Sequence, residues 1–435
     1  MNIKISNGWI ITPVEEDFEL KQQNLFIIDG KVTFSPQDNT INREIDVEGR
    51  IILPGLVNAH HHIYSTLSKG IPCQVPFNDF LGNLKQLWWT LDSSLNKDDM
   101  ILSTVLAMQD SIKHGVTTVF DHHISGEFVE GSLETMARVF QAYNICGSLA
   151  FEISDRNGKD FFERSLQENI NFAEKNPVED VKGMIGLHAS FTLSLKSLQR
   201  ISETTSNVPI HVHVAEDVYD AIHCRKHYNM GLIERFDSFD LLRDNSLLIH
   251  CSNLSEHDVE ILKNRNIFVV QAVDSNLNNA LNVGKIGTFI SPGIKTTTGT
   301  DGMTSSILKA QKNSFLLHKF LQKDPDTGFS EMNALILNGY RLKEAYGFPL
   351  GIKDGEISDL AVIDYIPQSQ FDKNTFLGHY IYGITEARVK YVIKFGQILL
   401  DDFKLTINPY QEYTDRAEEI TSALFKRFLK NKGKY

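Results

Sequence analysis

Apolar residues along the chain follow two rhythms. Over residues 1–54 they come in short runs, NIKISNGWIIT, NLFIIDGKVTF and REIDVEGRIILP, and Asp29-Gly30 between two β-rich stretches marks a hairpin turn. From Gly55 the runs become short and strand-sized, as buried parallel strands would be: LVNAHHH (56–62), TTVFDHH (117–123), GSLAFEI (147–153), MIGLHAS (184–190), PIHVHVAE (209–216), LLIHCS (247–252), IFVVQAV (267–273) and KTTTGTDG (295–302). Between them lie stretches such as KDDMILSTVLAMQDSIKHG and GSLETMARVFQAYNI, with apolar residues at the three- and four-residue spacing of helices. Eight buried strands alternating with helices predict an α/β fold, a (β/α)8 TIM barrel. After Gly355, EISDLAVIDY and ARVKYVIKFGQILLDD return to strand character.

This order predicts a barrel over 55–354 inserted into a small β-sandwich domain built from both chain ends, 1–54 and 355–407. The tail, 408–435, reads as an amphipathic helix whose Lys and Arg residues near its end complement the helix dipole.

Composition narrows the function classes. The 435 residues are 42% hydrophobic and 23% charged, which excludes a disordered or fibrous chain. A net charge of −12 repels a phosphate backbone and argues against nucleic acid as a partner. Cys73, Cys146, Cys224 and Cys251 are widely spaced and form no CxxC pair, so a reducing compartment fits better than a disulfide framework. The first residues carry no basic segment followed by an apolar core, and no apolar run approaches the roughly 18 residues of a membrane span. The expectation is a soluble cytoplasmic protein with no membrane partner.

Candidate chemistry sits at the ends of the predicted strands, where barrel enzymes build their sites. His60 and His62 are two apart on the first strand, so both face the same side and can share one ion. His213 ends the fifth strand and Glu216 follows three residues later; neutral imidazole is a good zinc ligand, and a carboxylate beside the ligands can move protons. His211 lies one pleat deeper and reads as a hydrogen-bonded lumen residue. Asp301, ending the eighth strand in TTTGTDGM, completes a three-His, one-Asp set with an open position for water. His250 ends the sixth strand, and one of His122 and His123 on the second should face the lumen as a substrate contact. Phe77, Phe80, Trp88 and Trp89, after the first strand, could wall a flat heterocycle, although Trp89 could equally anchor its loop on the barrel.

The motifs PGLVNAHHH (54–62), HVAE (213–216), His250 and TDG (300–302), with Asn338-Gly339 and the segment from Gly351 to DLAV (359–362), resemble the amidohydrolase superfamily. The likeness is to its mononuclear aminohydrolases, which include guanine, cytosine and adenosine-type deaminases and the triazine chlorohydrolases. LKQLWWTLDSSL, VFDHHIS, IGLHASFT, HVAEDVYD and SNLNN are further similar to the SsnA group of aminohydrolases, linked to selenium-dependent purine metabolism. The resemblance implies one divalent metal, zinc foremost and iron as the alternative, held by His60, His62, His213 and Asp301. It implies that Asp301 takes a proton from the attacking water, that His250 stabilises the developing alkoxide, that Glu216 protonates the ring nitrogen, and that His188 contacts substrate. It also implies a homodimer or higher homo-oligomer and a small heterocyclic substrate, purine- or pterin-like, deaminated by water attack on a C=N carbon.

Two departures bear on this reading. The fourth strand carries His188 and no lysine, which disfavours a two-metal site bridged by a carboxylated lysine. Where many relatives have His-Asn-Pro or His-Cys-Pro after the seventh strand, this chain has Gln271-Ala272-Val273-Asp274, so Asp274 either meets substrate or caps a turn. The rival readings are dechlorination or cyclic-amide hydrolysis at the same site, and an inactive scaffold subunit of a redox complex.

Overall fold

The computed structural model describes all residues except 37–39, 73–78, 206, 285, 291, 292 and 327. Phe77 and Cys73 lie outside the described residues.

Each of the eight expected barrel strands is present. In chain order they are Leu56–His61, Val116–His123, Cys146–Ile153, Ile185–Ala189, Ile210–Val214, Leu247–His250, Phe268–Gln271 and Lys295–Thr298. Neighbours pair in parallel and in sequence order, and a parallel bridge between His61 and Asp301 brings the last strand back to the first. These strands are buried on both faces because helices cover the outside, which is why most of them are rich in apolar residues; the eighth fills its buried positions with threonines. The helix Lys97–Lys113 shows how the connections are built: Asn96 accepts from the N–H of Asp99 while the Asp99 carboxylate accepts from the N–H of Asn96, and Met100, Leu102, Val105, Met108 and Ile112 turn inward.

The two chain ends meet in a second, nine-stranded mixed sheet. Its first strand, Ile3–Pro13, pairs antiparallel with Phe18–Ile28 and in parallel with both Arg43–Asp46 and Ile51–Pro54, so the sheet forks and curls around its own core of Ile3, Ile5, Leu25, Ile27, Ile45, Ile52, Leu360, Val362 and Ile393. The strand Asp359–Ile363 lies antiparallel between Ile51–Pro54 and Val389–Lys394 and joins the N-terminal strands to the C-terminal ones. The Asp29-Gly30 turn takes the left-handed backbone at both residues (φ 50° and 81°), the geometry of a tight two-residue hairpin.

A buried ionic cluster ties this sheet to the barrel. The Asp359 carboxylate lies 2.8 Å from Lys343 Nζ and 3.0 Å from Lys394 Nζ, and Lys394 also donates to the carbonyl of Thr117 at the base of the second barrel strand. Burial alone would raise the Asp359 pKa, but the two ammonium groups hold it below the ordinary carboxylate range. Removing one partner from such a cluster strands the others, which costs about 3–5 kcal/mol. We therefore expect Asp359→Ala to shift the urea unfolding midpoint by an amount corresponding to about 3–5 kcal/mol. An unchanged midpoint by circular dichroism would show that the cluster does not hold the two sheets together.

Candidate functional site

The site is assembled at the seam where the last barrel strand meets the first. The backbone N–H groups of Thr300 and Asp301 both donate to the carbonyl of His60, at 2.9 and 3.0 Å, and His62 N–H donates to the carbonyl of Asp301 at 3.2 Å. Asn58 brackets Thr300 from the first strand with bonds of 2.7 and 3.1 Å. A Cβ at Gly299 would stand 2.7 Å from His60 Cβ and 2.8 Å from its N, so only glycine lets the strands approach this closely. Ala215, His250, Cys251 and Asp301, all at strand ends, have positive φ (51°, 68°, 53° and 55°). Non-glycine residues held there cost on the order of 1–3 kcal/mol each, and such strain gathers at functional sites.

Strand alternation sends His60 and His62 into the lumen, with His61 on the other side of the pleat, where its Nδ1–H donates to the Asp301 carbonyl at 2.7 Å. The fifth strand presents His211 and His213 in the same way. His62 Nδ1 faces the carbonyl of His122 at 2.7 Å, and His213 Nδ1 faces the carbonyl of His188 at 2.9 Å. A carbonyl can only accept, so both Nδ1 atoms carry the proton and both Nε2 atoms present lone pairs. Those two Nε2 atoms face each other at 3.0 Å. Burial pushes the pKa of both imidazoles, and of His60, below the ordinary histidine value, which keeps the rings neutral.

Two neutral acceptors at that separation repel unless a cation lies between or beside them. His60 adds a third nitrogen, its Nε2 buried with no hydrogen-bond partner among the described residues. The donor atoms of His60, His62 and His213 all lie within 4.8 Å of one another, and Asp301 Oδ1 stands 3.4 Å from His62 Nε2 and 3.7 Å from His60 Nε2. Three neutral imidazoles and a carboxylate fit a divalent metal of the zinc type. His60 Nδ1 meets His211 Nε2 at 2.8 Å, so His211 orients His60 from below.

A second triad adjoins the first. The ligand atoms of Glu216, His250 and Asp301 also lie within 4.8 Å of one another. His250 Nε2 faces Glu216 Oε2 at 3.7 Å and Asp301 Oδ2 at 3.6 Å, while its Nδ1–H donates to Asn276 Oδ1 at 2.9 Å. The amide of Gln271, standing where many relatives have histidine, donates to the His250 carbonyl at 2.7 Å and supports the turn. Burial pushes the Glu216 carboxyl up to about 7, and Asp301 adds to the effect against the opposing pull of His250. Asp301 belongs to this second triad and borders the first, with Oδ1 toward His60 and His62 and Oδ2 toward His250.

A cavity of about 740 Å³, including its solvent-open part, leads down to these groups. His62, His213, Glu216 and Asp301 line it, as do His188, Trp88, Trp89 and Phe80. His188 Nδ1 meets Thr192 Oγ1 at 2.9 Å, and that hydroxyl donates to the Ala189 carbonyl, so the imidazole donates through Nδ1 and keeps Nε2 as an acceptor. Trp88 packs beside Gly302, and Trp89 lines the cavity with its ring edge-on to that of His188, centroids 6.0 Å apart.

Two expected substrate contacts are corrected. His122 does face the lumen, but it lies beneath the site among the rings of His62, His211 and His213, bonds to the Leu187 carbonyl and does not line the cavity. It sits one pleat too deep, below His62, and His123 faces away toward Ser125 and Phe151. Asp274 lies on the helix Val273–Asn278 with its carboxylate accepting from Asn313, while its helix neighbours Ser275 and Asn279 face the cavity. Successive helical residues point about 100° apart, and here Ser275 takes the cavity side while Asp274 turns to Asn313.

Sequence reading missed the polar half of the cavity. Arg156 Nη2 lies 2.7 Å from Asp92 Oδ2 and 2.8 Å from Glu152 Oε1, all three side chains nearly buried, with Tyr64 alongside. Burial raises the Asp92 pKa to about 6 and that of Glu152 to about 8, against the opposing pull of Arg156. Arg156 Nε and Nη1 have no hydrogen-bond partner among the described residues. The available signal was a glutamate ending the third strand with an arginine four residues on.

The ligand geometry sets two expectations. His62→Ala should lose metal while far-ultraviolet circular dichroism stays unchanged; full metal occupancy would remove His62 from the ligand set. His211→Phe should keep the fold and weaken metal affinity about 10–100-fold, the usual effect of removing a group that orients a ligand. Chelator competition measures this, and wild-type affinity would show that His211 does not support His60.

The sequence matches the amidohydrolase family over residues 51–399. It is 27% identical over 393 residues to a 5'-deoxyadenosine deaminase of Methanocaldococcus jannaschii, covering 87% of this chain and 90% of that protein. It is 27% identical to a 5-methylthioadenosine/S-adenosylhomocysteine deaminase of Pyrococcus furiosus, covering 93% and 96%. Its fold superposes on a zinc-bound adenosine deaminase from Xanthomonas campestris (TM-score 0.82, 18% identity, 98% of both chains). It also superposes on a guanine deaminase from C. acetobutylicum with bound guanine (TM-score 0.76, 19% identity, 92% and 100%). Among the described residues no helix is long and apolar enough to cross a membrane. With the match spanning most of its length and the strand-end histidines and aspartate gathered at one barrel mouth, this chain belongs to the amidohydrolase family.

Proposed function

We propose that the chain is a metal-dependent deaminase of a purine-like compound, adenosine-like in its overall shape. The observation that carries this reading is the shared carboxylate of Asp301, which joins three lone-pair imidazole nitrogens on one side to His250 and Glu216 on the other. His60, His62, His213 and Asp301 would hold one divalent cation. Such a cation supplies activation of a water molecule at neutral pH and polarisation of the carbon under attack.

The chain's own groups move the protons. Asp301 Oδ2 accepts one from the attacking water, and His250, 3.6 Å from Asp301 and 3.7 Å from Glu216, stands where it can pass protons between the two carboxylates. Glu216, raised to about 7, is protonated in about half of the molecules at neutral pH and in that form delivers its proton to the ring nitrogen beside the reacting carbon. A second transfer goes to the amino group, which leaves as ammonia while the carbon–oxygen bond becomes a carbonyl. His188 Nε2 can accept a hydrogen bond from an amino or hydroxyl group of the substrate, and Trp88 offers a flat face to the ring. The Asp92–Arg156–Glu152 cluster faces the part of the substrate away from the reacting carbon and favours a hydroxyl-bearing substituent, in keeping with the nucleoside deaminases among the relatives.

Zinc-loaded protein should release ammonia from at least one of adenosine, 5'-deoxyadenosine, 5-methylthioadenosine, guanine or an aminopterin ring. Release from none of them, with metal present, would overturn the reading. Glu216→Gln should retain metal and bind substrate, yet slow the chemical step by about 10²–10⁴-fold. Loss of metal, or turnover at the wild-type rate, would remove Glu216 from the proton-transfer role.

A further inference from the structure

The tail helix carries a role that its amphipathic pattern does not announce. We propose that this helix, Ala417–Asn431, together with Tyr435 positions the tryptophan wall of the cavity and so sets substrate affinity; the kinetic arm of the test rests on the deaminase reading, the spectroscopic arm does not.

Leu424 and Phe428 anchor the helix in the core. From its outer side it grips the turn that follows Trp89. Arg427 Nε donates to the carbonyl of Ser94 at 2.9 Å, and its guanidinium pairs with the Asp99 carboxylate. Asn431 Nδ2 donates to Ser94 Oγ at 3.0 Å and to the carbonyl of Ser93 at 3.3 Å. Beyond the helix, the Tyr435 ring meets Trp89 edge to face, with centroids 5.8 Å apart and planes at 71°. Its hydroxyl donates to Asn157 Oδ1 at 2.8 Å.

One tail segment thus holds two loops together, the one after the first barrel strand and the one after the third. Trp89 passes the constraint inward. Its ring meets His188 edge-on at 6.0 Å and lies under the Arg156 guanidinium at 5.1 Å, and both of those residues line the cavity. Tyr435 and Asn431 do not line it, so they are positioning residues rather than catalytic ones. The residues that would hold the metal sit on or at the ends of barrel strands and, among the described residues, make no contact with the tail that the structure shows, which separates affinity for substrate from metal binding and from the proton-transfer groups.

The full-length, zinc-loaded chain tests this in a Trp9→Phe background. Of the 3 tryptophans in the sequence, only Trp88 and Trp89 then report. Tyr435→Leu and, separately, Asn431→Ala should increase acrylamide quenching of the remaining fluorescence. Both should raise KM about 3- to 10-fold, the order expected for losing one aromatic contact or a pair of hydrogen bonds, with kcat and bound metal unchanged. Tyr435→Phe keeps the ring and should restore most of both signals. Quenching at the parent level in both variants would overturn the proposal, as would a lowered melting temperature with unaltered KM, the mark of a merely stabilising contact. Should no substrate be turned over at all, the deaminase reading fails while the quenching result still decides the role of the tail.

Discussion

Two imidazole nitrogens held lone pair to lone pair at 3.0 Å are the constraint around which the mouth of this barrel is built. Neither ring can relieve the repulsion by moving its proton, because each Nδ1–H is committed to a backbone carbonyl on the neighbouring strand. Those carbonyls belong to His122 and His188, so the second and fourth barrel strands fix the orientation of ligands carried by the first and fifth. Burial keeps the rings from protonating, since a charged imidazole there would lose its hydration. The arrangement is therefore costly in the absence of a cation, and metal binding recovers that cost.

The same seam brings in the carboxylate that lies between the three histidines and the second triad. Asp301 reaches the histidines because Gly299 allows the eighth strand to press against His60, and because Asp301 itself adopts a left-handed backbone that turns its side chain across the mouth. Its two oxygens then face different groups, Oδ1 toward His60 and His62 and Oδ2 toward His250. Glu216 lies one step further out, where partial enclosure and a neighbouring carboxylate raise its pKa without making it a ligand.

The polar cluster of Asp92, Arg156 and Glu152 answers a different requirement. A buried arginine needs carboxylate partners, yet with both partners in place two of its nitrogens still lack acceptors among the described residues, and they belong to a side chain that lines the cavity. The wall carrying Asp92 is short, and it draws its rigidity from the tail helix packed behind it and from Trp89. The catalytic seam is held by strands, whereas the substrate wall is held by loops and a distant helix.

Strand-sized runs alternating with helical stretches made the barrel legible from the sequence, because strands buried on both faces are rich in apolar residues, and Asp29-Gly30 marked its hairpin for the equally local reason that a two-residue turn needs left-handed backbone. Period-two spacing assigned His60, His62 and His213 to one side of their strands before any coordinates. Spacing could not give depth, so His122 and His211 shared the right face with the ligands yet lie beneath them, and the turn that points Asp274 at Asn313 depends on how a short helix docks. The Asp92–Arg156–Glu152 cluster, the seam at Gly299 and the grip of the tail helix on Ser93 and Ser94 join segments separated by 64, 242 and 338 positions at their widest. Local periodicity determines which way a side chain faces along its own element; which distant side chain it meets is decided only when the elements pack.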